Sequence, residues 1–103
     1  MTNTPWGPSD NSERIAPGIM WYDTPYHGGF HLSAKRQAEM PETLRVESGW
    51  YEEDCDWALV VSAFPQFFSE KEFAAAKESV KNWNSERYEK YFENNYNDNQ
   101  KDI

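Results

Sequence analysis

Aromatic side chains decide what this chain can bury. It holds five Trp, six Tyr and six Phe, against ten Leu, Ile and Val together. A core must therefore be assembled from few, large side chains, each burying ~150–250 Å². Leu, Ile, Val and Phe make up 16 of the 103 residues, and the formal net charge is −8. So low an apolar share with so much charge marks many disordered chains. Disordered chains are also poor in aromatics, so the aromatic count argues for a folded domain with a small core. The length allows one such domain.

Several classes are disfavoured. The longest apolar run, Trp57 to Val61, spans five residues, too short to cross a membrane. Met1 to Trp6 lacks the basic start and apolar stretch of a secretory leader. The single cysteine, Cys55, has no internal disulfide partner, which fits a reducing cytoplasm. The acidic balance opposes direct binding to nucleic acid, whose affinity comes from cationic contacts to phosphate. It fits a protein that meets a basic surface, with electrostatic steering of the encounter.

Residues 1–17 hold three prolines and read as an extended N-terminal arm, with Trp6 tucked against the body as an anchor. Gly18 to Asp23 reads as a strand, and Phe30 to Leu32 as its returning partner. The turn chemistry of Thr24 to Gly29 lies between them. Ser33 is placed to cap a short helix over Ala34 to Glu39, which Met40-Pro41 stops. Residues 42–51, for example Leu44 to Glu47, are the candidates for a third strand. Trp57, Val60, Val61 and Phe64 follow helical spacing. The same apolar run also permits a buried strand; the spacing favours helix. Ser69 and Glu72 have the form of a capping box, with Phe73, Ala76, Val80 and Trp83 continuing the helix face. Tyr88, Tyr91 and Phe92 stripe a last helix, with Glu86 and Lys90 one turn apart on another face.

The expected fold class is α+β: a small antiparallel β-sheet followed by about three packed helices. The compact domain covers residues 18–93, and 94–103 form a polar tail expected to be disordered. The core expected from the pattern is Ile19, Trp21, Phe30, Leu32, Trp57, Val60, Val61, Phe64, Phe73, Val80, Trp83 and Tyr88.

Three clusters stand out: Thr4-Pro5-Trp6-Gly7, His27-Gly28-Gly29-Phe30-His31-Leu32-Ser33, and Gly49 through Trp57 (Gly-Trp-Tyr-Glu-Glu-Asp-Cys-Asp-Trp). With Ala16-Pro17-Gly18-Ile19, they resemble a family of small domains from phages, plasmids and other mobile elements, catalogued as a domain of unknown function. The resemblance covers about residues 4–92. It implies no activity, only a context: small genes on mobile elements often encode inhibitors of host defence.

Catalytic chemistry is weakly supported. Cys55 sits at a predicted helix N-terminus, with His27 or His31 as a base and Asp54 or Asp56 to orient it. That set would make a Cys-His-Asp hydrolase. However, Glu52, Glu53, Asp54 and Asp56 flank the thiol and oppose thiolate formation, which favours Cys55 as a small packed residue. His27 and His31 with Cys55 and a carboxylate could complete four metal ligands. But residues four apart on a strand stand ~13 Å apart, and no zinc-binding spacing is present. Gly28-Gly29 lacks the Lys and helix start of a phosphate cradle; close backbone approach or positive φ explains it better. No catalytic residue, metal or cofactor is therefore expected.

The acidic stretch is more informative. Residues 47–56 contain five acids and no base; from Gln37 to Glu70 there are eight acids and one base, Arg45. Glu47, Glu52, Glu53 and Asp56, with Trp50 and Tyr51 inside the stretch, are the candidate partner-binding residues. The expected function is non-enzymatic inhibition of a host defence nuclease complex, of anti-CRISPR or anti-restriction type. The acidic face, imitating nucleic-acid phosphates, would occlude a basic nucleic-acid-binding surface. A small Cys/His enzyme and an accessory interaction domain are the alternatives.

Overall fold

The computed structural model describes residues 2–93; the polar tail expected over 94–103 lies outside the described residues. The first element is a short hairpin of β1 (Asn3–Thr4) and β2 (Gly7–Pro8). Thr4 builds its tip: the Oγ1 hydroxyl donates to the Gly7 carbonyl at 2.6 Å and accepts the Trp6 N–H at 3.1 Å. Gly7 closes the turn at φ 113°, a left-handed conformation that glycine adopts without strain.

The main sheet is an antiparallel meander in sequence order: β3 (Asn11–Ala16), β4 (Ile19–Asp23), β5 (Gly28–Leu32) and β6 (Trp50–Glu52). Its register puts Trp21, Phe30 and Tyr51 in one row across three strands. Met20, His31 and Trp50 form the row on one side of it, and Tyr22, Gly29 and Glu52 the row on the other. Successive rows face opposite sides. The inner face carries Ile19, Trp21, Phe30, Leu32 and Tyr51; the outer face carries Met20, Tyr22, His31, Trp50 and Glu52.

The helices follow the expected pattern. In α1 (Ala34–Glu39), Ser33 caps by accepting the Arg36 N–H at 3.2 Å. Helix α2 (Trp57–Ala63) buries Ala58 through Ser62 against β5, β6 and the long helix α3 (Glu70–Trp83). The run 57–63 is thus helix rather than buried strand. Its first residue follows Asp56, whose side chain makes no cap hydrogen bond. The Ser69–Glu72 capping box is formed in both directions, at 2.9 and 3.0 Å. A short α4 (Ser85–Tyr88) runs into a π-helical turn, Glu89–Glu93. That segment folds back so that Phe92 meets Phe73, and the Glu86–Lys90 pair forms at 2.9 Å.

Four expectations need correction. Residues 1–17 are not a separate arm: Asn11–Ala16 pairs along β4 as an edge strand. An edge strand is bonded through its backbone and needs little apolar content, so hydropathy does not mark it. The added strand at the other edge is Trp50–Glu52, not Leu44–Glu47. Val46 cannot join a ladder: its N–H donates to the Tyr51 hydroxyl at 2.9 Å, and its carbonyl accepts the Gln37 amide at 2.8 Å. Arg87 ties the same segment to α4 through the Thr43 and Arg45 carbonyls. Trp83 is 74% exposed rather than core; α3 ends on it and the chain turns away at Asn84. Finally, Tyr51 is core, fully buried.

Candidate functional site

The three sequence clusters meet on the outer face of the sheet. The hairpin tip lays the Trp6 ring over Gly29, where an added Cβ would collide with the indole and lie 2.5 Å from the Tyr51 carbonyl oxygen. The Gly28-Gly29 pair is therefore a close-approach feature. Trp6 in turn meets Trp50 edge-on at 5.7 Å, and so acts as the expected anchor. Trp50 is also met by His31, at 4.3 Å, and by Tyr22, whose ring centre lies 5.7 Å from the indole. Half-burial in this cluster holds His31 below the usual histidine pKa.

The acids collect at the end of β6 and in the turn after it. Thr24 fixes the facing loop: its hydroxyl accepts the Tyr26 and His27 N–H groups and donates to the His27 carbonyl. The Glu53 N–H donates to the Gly28 carbonyl at 2.9 Å. These bonds bring His27 against the acidic turn. Its Nδ1 lies 3.7 Å from a Glu53 carboxylate oxygen. Ligand atoms of His27, Glu52 and Asp54 lie within 4.8 Å of one another. Such a set could touch a cation, but it offers three ligands, one short of a closed structural zinc site. A hydrogen bond shared with Asp54 raises the Glu52 pKa, and burial adds to the effect. Among the described residues, no Lys or Arg nitrogen pairs with Glu47, Glu52, Glu53, Asp54 or Asp56.

The candidate residues divide. Trp50 and Glu52 share the outer face, Glu53 is exposed beside His27, and Asp56 sits at the start of α2. Glu47 is exposed in the turn at the opposite end of β6. Tyr51 points the other way, and its buried hydroxyl donates to Gln37 Oε1 at 2.5 Å. Alternation along a strand sends residue 51 to the face opposite 50 and 52, and this signal is legible in the sequence. Asp54, absent from the expected set, belongs with Glu52.

Cys55 is half-buried, with its Sγ 3.7 Å from Asp56 Oδ1. Burial first, then the Asp56 charge, raises the thiol pKa. Both effects act against thiolate formation, the opposite of what activates a cysteine nucleophile.

The sequence model of a family described as a domain of unknown function, DUF7007, matches residues 1–103. This chain belongs to that family. No curated protein and no solved structure matches it. Within the described residues of this DUF7007 domain, no helix is long and apolar enough to cross a membrane.

Proposed function

We propose that this DUF7007 domain is a non-catalytic binding module that covers a basic, nucleic-acid-binding surface of a partner protein. The observation that supports this most directly is the uncompensated acidic turn. Glu52, Glu53 and Asp54 gather around His27, Glu52 shares a sheet face with the half-buried Trp50, and no Lys or Arg is paired to these acids among the described residues. Lysine and arginine of a nucleic-acid channel would supply the missing countercharge, and Trp50 and Trp6 the apolar contact. On this reading the domain is a mobile-element inhibitor of a host defence nuclease, acting in the cytoplasm by occluding the nucleic-acid path. Occlusion is stoichiometric and needs no nucleophile.

The test is capture of partner proteins from a bacterial lysate on the wild-type chain, on Glu52→Lys/Glu53→Lys and on Cys55→Ser. The expected partner binds nucleic acid, is displaced by duplex DNA, is lost on charge reversal and is retained by the Cys55 variant. Retention of the same partner by the charge-reversed chain defeats the reading. So does turnover of a substrate that disappears with Cys55→Ser.

A further inference from the structure

Helix α2 packs on the inner face of the sheet over β5 and β6. Beside it a groove of about 550 Å³ opens, lined by residues of β3, β4 and β5, of α2 and of the segment leading into α3. Its walls are aromatic: Trp21 and Phe30 from the sheet, Trp57 from α2, and Phe67 and Phe68 from the turn before α3. Trp21 is held in place by its Nε1–H, which donates to Asp23 at 2.8 Å, and by edge-on packing with Phe30 at 4.8 Å. Three exposed carboxylates from three separate elements line the same groove: Glu13 on β3, Glu53 after β6 and Glu72 on α3. Arg14 is the only cation among the lining residues, and it makes no ion pair among the described residues.

An apolar occupant would leave three carboxylates facing it without countercharge. A cation with a flat, weakly hydrated face satisfies both parts of the lining. A guanidinium stacks on indole and phenyl rings and also donates hydrogen bonds to carboxylates; an ammonium offers only a point charge. We propose that this groove receives an arginine side chain of the basic partner, so that the partner is gripped on the inner edge of the sheet as well as at the acidic turn. The proposal rests on the basic-partner reading, and Glu53 is the residue common to the two surfaces. The neighbouring Arg14 competes for the groove, so Arg14→Ala strengthens binding.

The full chain is titrated at low salt with a short peptide alternating glycine and arginine, and with its citrulline counterpart. The ring resonances of Trp21, Trp57, Trp6 and Trp50 are followed by NMR. The arginine peptide is expected to move Trp21 and Trp57, and the citrulline peptide to move neither. Glu13→Gln/Glu72→Gln should weaken binding about tenfold; the amide introduced by Glu72→Gln keeps an oxygen for the Ser69 N–H and so preserves the cap. Glu47→Gln/Glu52→Gln should leave the Trp21 and Trp57 shifts in place. Equal binding of the citrulline peptide overturns the proposal. If Trp6 and Trp50 move instead, and only Glu47→Gln/Glu52→Gln weakens binding, the groove is wrong and the acidic face stands. If the arginine peptide does not bind at all, both fail.

Discussion

Tyr51 and Gly29 show how single residues set the outer face by what they do behind it. The Tyr51 hydroxyl donates to Gln37 Oε1 and accepts from the Val46 N–H, with the ring fully buried. Tyr51→Phe keeps the ring but strands both partners, and should cost about 1–3 kcal/mol in urea unfolding; no loss would mean that water or a rearranged Gln37 satisfies them. Gly29→Ala should also destabilise, by about 1–3 kcal/mol, since a methyl there meets the Trp6 ring and the Tyr51 backbone oxygen. A protein as stable as wild type would show that Trp6 can leave the sheet at no cost. Glu52 tests the acidic turn through pH. Its pKa in the folded chain is raised, chiefly by the hydrogen bond with Asp54. The folded state thus binds this proton more tightly than the unfolded state does. The resulting stability is present at acid pH and is lost as pH rises through the folded pKa. In Asp54→Asn the Glu52 carboxyl should titrate at lower pH by NMR; an unchanged midpoint would remove Asp54 as the cause.

Among the elements, α3 owes its start to local sequence and its path to tertiary packing. The capping box satisfies N–H groups that the first turn leaves open. Ser69→Ala should therefore lower stability by about 1 kcal/mol, while Ser69→Asp should restore most of it, read as the shift in denaturation midpoint. Equal stability of all three proteins would show that the helix is held by its buried face alone. That face, Ala76 and Val80, packs on α2, whereas Phe73 and Lys77 meet Phe92 of the returning segment. The helices were legible because a cap and a 3.6-residue stripe are local signals. The edge strand Asn11–Ala16 was not, because its hydrogen bonds come from β4 and leave no hydropathy trace. Arg45 and Arg87 likewise hold the 41–49 segment through carbonyls of Gln37, Met40, Thr43 and Arg45, contacts that no periodicity announces.

Over the whole molecule, the charge of −8 acts on stability as well as on recognition. Like charges gathered in the turn after β6 and along the groove repel, and salt screens them over a distance of about 30 Å at 0.01 M but about 8 Å at 0.15 M. The melting temperature should rise between those two salt concentrations at neutral pH, and rise less at acid pH, where carboxylates are protonated. A melting temperature indifferent to salt would mean that the acids are too far apart to interact.

The sequence by itself determined the class of the fold, the capped starts of α1 and α3 and the need for an aromatic core, since these rest on composition and on neighbours within one turn or one strand. It also located the acidic stretch, because charge is counted without knowing the fold. Tertiary structure alone decided which acids act together. Pairing of β5 with β6 brings His27 to Glu52, Glu53 and Asp54, while leaving Glu47 at the far end of the strand. Only the packing of α2 on the sheet and of α3 on α2 decided that Trp21 and Trp57, which lie against the core, also line a groove with Glu13 and Glu72. Residues so far apart in the chain become neighbours through strand pairing and helix packing, and neither is written in the spacing of any one segment.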